Sequence, residues 1–165
     1  MNANLKKPSA LIWLLLSAAL ILVDQWTKNI ASANLQMGEP VGFIVGFWDW
    51  TLAHNTGAAF SFLANSGEWA HWFFVVMKIT VSLVLTVLLF KMPRNHWRDA
   101  LPYALVIAGA LGNLIDRFRF GYVVDFIEWY YKDYHWPVFN IADSCIVAGA
   151  ALLILFSFRK KDEAK

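Results

Sequence analysis

Residues 100–117 read ALPYALVIAGALGNLIDR. Sixteen uncharged residues, positions 100–115, separate Asp99 from Asp116. At ~1.5 Å rise per residue this run makes about 24 Å of helix, most of a hydrocarbon core about 30 Å thick. It is too long and too uniformly apolar for a globular amphipathic helix. The spacing recurs: sixteen uncharged residues (8–23) separate Lys7 from Asp24, and fifteen (144–158) separate Asp143 from Arg159. A further apolar stretch, residues 69–90, carries one lysine, Lys78. The chain is therefore expected to be an all-α integral membrane protein with four transmembrane helices. These are placed at residues 10–31, 69–90, 100–117 and 139–158 of a single membrane domain, 1–165.

Composition agrees. Of 165 residues, 59% are hydrophobic and 16% charged, and mean hydropathy is +0.48. An ordinary soluble domain is about 45–50% apolar and about 25% charged. A soluble enzyme of this composition would lack polar surface, and disorder is excluded by the same numbers. Nine Trp, five Tyr and thirteen Phe suit membrane–water interfaces. A net charge of +2 gives no reason to expect a nucleic-acid partner. The one cysteine, Cys145, can make neither an internal disulfide nor a Cys-rich metal site. Lys6 and Lys7 ahead of the apolar run 11–23, with Ala31-Ser32-Ala33 beyond it, resemble a signal peptide. Asp24, Gln25, Trp26 and Lys28 interrupt that pattern, so a retained first helix is expected.

Basic residues set the expected orientation. Lys6, Lys7, Lys91, Arg94, Arg98, Arg159, Lys160, Lys161 and Lys165 fall on one side, and Lys28, Arg117, Arg119 and Lys132 on the other. The excess places both termini in the cytoplasm and the segments 32–68 and 118–138 outside. Residues 41–51, VGFIVGFWDWT, are β-branched, aromatic and punctuated by Gly, and predict one or two short strands against the bilayer surface. Residues 124–132 are short, aromatic and amphipathic, and are expected to form a short interfacial helix.

Counted from the cytoplasmic ends, Asp24, Asp116 and Asp143 reach one common depth, just inside the outer leaflet. Ionisable residues at that depth are costly and normally face a bundle interior. Asp24 and Lys28 lie four apart on one helical face, and Asn113 and Arg117 on another. Asp24–Lys28 and Asp116–Arg117 read as structural ion pairs, and Lys78 as a snorkelling lysine. Gly109 and Gly112 give the third helix small residues where a neighbour can approach.

Asp125 and Asp143 have no basic neighbour at helical spacing. Each has a bland reading: Asp125 as a helix cap with Glu128 as its capping-box partner, and Asn140 as the cap of helix four with Asp143 at its third position. Together they have a chemical one. Two carboxylates sharing a site do not easily both ionise. Such a pair can hold a water, take its proton as it attacks a peptide carbonyl, and donate a hydrogen bond to the oxyanion. No metal is offered: His54, His71, His96 and His135 are scattered and no H-E-x-x-H occurs. There is no G-x-S-x-G elbow for Ser144, and Cys145 reads as packing. At this point aspartyl hydrolysis stands beside a small transporter that uses its carboxylates for proton coupling. A membrane transferase is a further rival, although no phosphate-binding loop is present.

Five motifs then carry a resemblance. They are Asp24-Gln25-Trp26-Thr27-Lys28, Asn55-Thr56-Gly57-Ala58-Ala59-Phe60, the run 109–117 (GALGNLIDR), Gly121-Tyr122-Val123-Val124-Asp125-Phe126, and Phe139-Asn140-Ile141-Ala142-Asp143-Ser144. In this order they resemble the signatures of the lipoprotein signal peptidases, the type II signal peptidases of bacteria. The resemblance spans nearly the whole chain. It implies a cofactor-free aspartic endopeptidase of the inner membrane that cleaves a diacylglyceryl-modified prolipoprotein just before the lipidated cysteine. It implies Asp125 and Asp143 as the catalytic pair. Asn55, Gly57, Asn113, Arg117 and Asn140 would line the site or bind substrate, with Asp24, Lys28 and Asp116 in support. It further implies a small periplasmic sheet, contact with membrane lipids, and inhibition by globomycin-like cyclic peptides.

Overall fold

The computed structural model describes residues 8–57 and 68–163. Lys6, Lys7, Lys165, residues 58–60 of the second motif, and the side chains of Arg159, Lys160 and Lys161 lie outside the described residues. The chain begins with a 3-10 turn, Ala10–Trp13, which runs into α1, Leu14–Asn34. A hairpin of β1 (Val41–Ile44) and β2 (Trp48–Asn55) follows. Next come α2 (Glu68–Lys91), α3 (Trp97–Phe120), β3 (Val123–Tyr131), β4 (Tyr134–His135) and α4 (Ile141–Glu163).

Three of the helical stretches are long and apolar enough to cross a membrane: Ala10–Asn34, His71–Lys91 and Ile141–Phe158. Their apolar side chains face outward in number; Leu22, Val76, Leu83, Phe90 and Ile154 are all well exposed. That arrangement is favourable where the surrounding solvent is hydrocarbon. α3 is the hub of the bundle and packs against α1, α2 and α4. Being enclosed, it can carry Asn113, Asp116 and Arg117, all buried. Its small residues allow close approach: a Cβ on Gly109 would collide with the Ala142 carbonyl oxygen of α4 and lie 2.6 Å from Ile146. α3 stops at Gly121, whose φ of 80° lies in the left-handed region that Gly enters without penalty.

The sheet has the order β1-β2-β3-β4, with all pairs antiparallel. The one or two strands expected in residues 41–51 are two, β1 and β2, and β2 runs on to Asn55. The interfacial helix expected at 124–132 is not: those residues are strand β3 and its turn. Val123, Val124, Phe126, Ile127, Trp129 and Tyr131 are β-formers, and the two neighbouring strands satisfy their backbone in a way a lone surface helix could not match. Residues Val123–Ile127 are buried on both faces and alternate only beyond that point, which obscures the period of two. The β3–β4 turn is Lys132-Asp133, with Lys132 at φ 53° and no Gly to announce it. Ala31 of α1 packs under the sheet with Phe126 and Ile127. The sheet therefore stands directly on the bundle.

Candidate active site

Strand β3 brings Asp125 over the bundle, 1% exposed. Its partner in the β2 register is Ala53, and Asn55 lies diagonally across, in the regular stretch of ladder that follows the irregularity between Trp50 and Ala53. Asn55 Nδ2 donates to Asp125 Oδ2 at 3.0 Å. Asn140, fully buried, donates through Nδ2 to Asp125 Oδ1 at 2.6 Å. The same Nδ2 lies 3.1 Å from Asn113 Oδ1 and 3.2 Å from the Val124 carbonyl. Asn140 also caps α4, its Oδ1 accepting from the Asp143 backbone N–H at 2.9 Å. Asn113 Nδ2 donates to Asp143 Oδ1 at 2.7 Å. Two asparagines thus connect the two carboxylates from opposite ends of the outer segment. The capping-box reading of Asp125 with Glu128 falls with the interfacial helix. The cap at Asn140 is present and places Asp143.

A second set lies beside the first. Lys28 Nζ reaches Asp24 Oδ2 at 2.9 Å, Asp116 Oδ2 at 2.8 Å and Asn113 Oδ1 at 2.9 Å, so each ammonium hydrogen has an acceptor. Asp24 Oδ1 accepts from the Ala142 N–H at 2.9 Å, and Asp116 Oδ2 from the Val124 N–H at 3.1 Å. The residues counted to one depth therefore meet. The pairing expected of Asp116 with Arg117 is replaced by Asp116 with Lys28, because adjacent helical residues point in different directions. Arg117 instead donates to the carbonyls of Thr56, at 3.2 Å, and Gly57, and lies over the Phe74 ring. Asn55 Oδ1 accepts from the Gly57 N–H at 3.0 Å, which closes the path from Arg117 to Asp125.

The two sets differ in charge. Lys28 neutralises Asp24 and Asp116 by direct contact. Among the described residues, the Asp125 and Asp143 carboxylates are held by neutral side-chain amides, those of Asn55, Asn140 and Asn113. Burial first, and the nearby Asp143 charge second, push the Asp125 carboxyl up to about 7. An Asp125 carboxyl in that range can hold its proton near neutrality. No group of three or more His, Cys, Asp or Glu among the described residues could hold a metal ion.

Two contributors carried no assigned role in the sequence reading. Gln25 Nε2 donates to Asp116 Oδ1 at 2.8 Å and to the Gly112 carbonyl at 3.1 Å, tying α1 to α3. Phe74 is buried beneath the Arg117 guanidinium, 5.1 Å from ring centroid to Cζ. Its signal was its place four residues before Lys78, one turn away on the same face of α2. The Lys78 ammonium, read from the sequence as snorkelling, lies 5.7 Å from the Phe74 ring centroid.

Comparison with known proteins gives the family. The family model Peptidase_A8, signal peptidase (SPase) II, matches residues 16–159. The lipoprotein signal peptidase of Xylella fastidiosa (strain M12) is 55% identical over 152 residues, covering 90% of this chain and 91% of the relative. That of Xanthomonas axonopodis pv. citri (strain 306) is 52% identical over 157 residues, covering 94% and 91%. A bacterial membrane enzyme solved in meso at 2.3 Å superposes with a TM-score of 0.84 at 32% identity, covering 93% of this chain and 92% of that one. A second, at 1.9 Å, gives 0.75 at 33% identity, covering 87% and 90%. With three helices long and apolar enough to cross a membrane, a four-stranded sheet and this match over most of its length, the chain belongs to the signal peptidase II family of membrane peptidases.

Proposed function

We propose that Asp125 and Asp143 form the catalytic pair of this peptidase, acting on a prolipoprotein whose cysteine carries a diacylglyceryl group. The observation that carries this reading is the division of charge: one pair of acids is held by Lys28, and the other is held by neutral amides, with Asp125 pushed up to about 7. One carboxylate takes a proton from a water as the water attacks the carbonyl carbon before the lipidated cysteine. The protonated partner donates a hydrogen bond to the oxygen that becomes negative. The tetrahedral adduct collapses as the cysteine amine leaves with a proton, and the pair returns to one proton between two acids. Asn55, Asn113 and Asn140 hold the carboxylates in register, and the Arg117–Gly57 contact shapes the wall where substrate backbone lies. Asp24, Lys28 and Asp116 fix α1, α3 and α4 beneath them.

The whole chain acts as one domain of the bacterial inner membrane, with both termini cytoplasmic and the sheet on the periplasmic side. The excess of basic residues at the opposite end supports this orientation. Half-exposed Phe43 and Phe47 and largely exposed Val45 in the β1–β2 hairpin suit contact with membrane lipid. A cut at the junction of lipid anchor and membrane surface requires a site at this depth. A globomycin-like cyclic peptide fits the proposal as an occupant of the same cleft. Incubating the purified protein with lipidated and unlipidated precursor, with mass analysis of products, tests the assignment. Cleavage before the lipidated cysteine is expected, and is lost in Asp125→Asn and Asp143→Asn. Near-normal turnover in either folded variant overturns the pair.

A further inference from the structure

Lys78 stands on α2, one turn after Phe74. Two cations converge on the buried Phe74 ring, Arg117 at 5.1 Å and Lys78 at 5.7 Å. Like charges so placed repel, and a neighbouring negative charge must compensate them. Arg117 is 2% exposed, and its Nε has no hydrogen-bond partner. Among the described residues, no hydrogen bond or ion pair engages the Lys78 ammonium. The charged groups around it are Arg117 of α3, Asp143 of α4, Lys28 of α1 and Asp125 of β3.

The charge balance of the cluster then has a simple form. Its acids are Asp24, Asp116, Asp125 and Asp143, and its bases are Lys28, Arg117 and Lys78. With one proton on the Asp125–Asp143 pair, negative and positive charges are equal. Without Lys78 the same protonation state leaves one uncompensated negative charge in a low-dielectric site, which is unfavourable. We propose that Lys78 is a positioning residue for the reaction: from across the Phe74 ring, its charge sets the pH range over which Asp125 and Asp143 hold a single proton between them. The inference rests on the aspartate-pair reading and adds to it a residue outside all five motifs.

The direction follows from electrostatics. A nearby cation favours ionised carboxylates, so its removal disfavours both proton losses from the pair. In Lys78→Met, the acid limb of the kcat/KM profile moves to higher pH, by roughly half a unit or more. Lys78→Arg retains the charge and keeps the limb in place. The measurement uses the full chain in lipid–detergent micelles with diacylglyceryl-modified precursor, from about pH 5 to 9, with Lys78→Gln as a second neutral variant. A lysine with a merely structural role lowers the melting temperature and leaves the acid limb unmoved, and that result overturns the inference. Failure of both neutral variants to fold overturns it too, since the charge would then hold the bundle together. An unmoved limb with inactive Asp125→Asn and Asp143→Asn leaves the aspartate pair standing. Turnover in either of those two variants removes the pair itself.

Discussion

Replacing Asp125 with Asn separates the ionisation of the site from its packing. Its carboxyl titrates at about 7 in the fold, against an ordinary value of 3.8. A group whose pKa is raised by folding contributes stability that is complete below the unfolded value and is lost as pH rises through the folded one. The wild-type protein therefore loses stability between about pH 4 and about pH 7 from this residue, and Asn, which does not titrate, escapes that loss. At ~1.4 kcal/mol per unit the full effect has an upper limit of about 4 kcal/mol, part of it belonging to the shared proton with Asp143. Between pH 5 and pH 8, linkage leaves about 2–3 kcal/mol of it. The substitution also has a pH-independent cost. Asn55 and Asn140 donate to the two carboxylate oxygens, and an amide offers only one oxygen. One donor is left facing an NH2 group, for about 1–3 kcal/mol. The variant should thus melt below wild type at pH 5 and gain on it by roughly 5–10 °C by pH 8, while cleaving nothing at either pH. Thermal unfolding of both proteins across that range is the assay. An offset that stays constant from pH 5 to pH 8 would refute the claim that Asp125 is buried with a shared proton.

Lys28→Met strands Asp24 and Asp116, both nearly fully buried, and should destabilise the bundle by about 3–5 kcal/mol. Adding Asp116→Asn should recover part of the melting temperature, and no recovery would mean that the ion pair is not the cause. Gly109→Ala would gain up to about 1 kcal/mol in an isolated helix. Here its Cβ strikes the Ala142 carbonyl, so the melting temperature and cleavage rate should both fall as α3 and α4 separate. Asn140→Asp keeps the cap oxygen for the Asp143 N–H but loses the amide donor to Asp125 and adds a third acid. A fall in kcat of at least about tenfold, or ~1.4 kcal/mol in barrier, with the α4 helical signal retained, is expected. An unchanged kcat would separate Asn140 from the chemistry.

The long helices and the common level of the acids along them were legible because both rest on one quantity, rise per residue, which a helix cannot vary much. Asp24, Asp116 and Asp143 were matched by counting, and they do meet around Lys28 and Asn113. Pairing was less legible than depth. Counting gives level along the axis but not which helix faces which, so Asp116 was assigned to its chain neighbour Arg117 although its partner is Lys28 on α1. The carbonyls that take up Arg117 belong to Thr56 and Gly57, sixty residues away, and no local spacing announces them.

The misreading of residues 124–132 shows where local pattern loses to topology. The segment carries Asp125 and Glu128 three apart, as a capped helix would, and its aromatic content suits an interface equally well in either state. In a strand, residues three apart point to opposite faces. Glu128 accordingly turns away to Thr51 and His135, while Asp125 turns to Asn55 and Asn140. That divergence is what the site requires. A helix at this position would have directed Asp125 back onto its own backbone as a cap, with its charge satisfied and its pKa low. Strand pairing satisfies the backbone independently, so the carboxylate is left to enter the bundle without a cation in direct contact among the described residues and to titrate near neutrality.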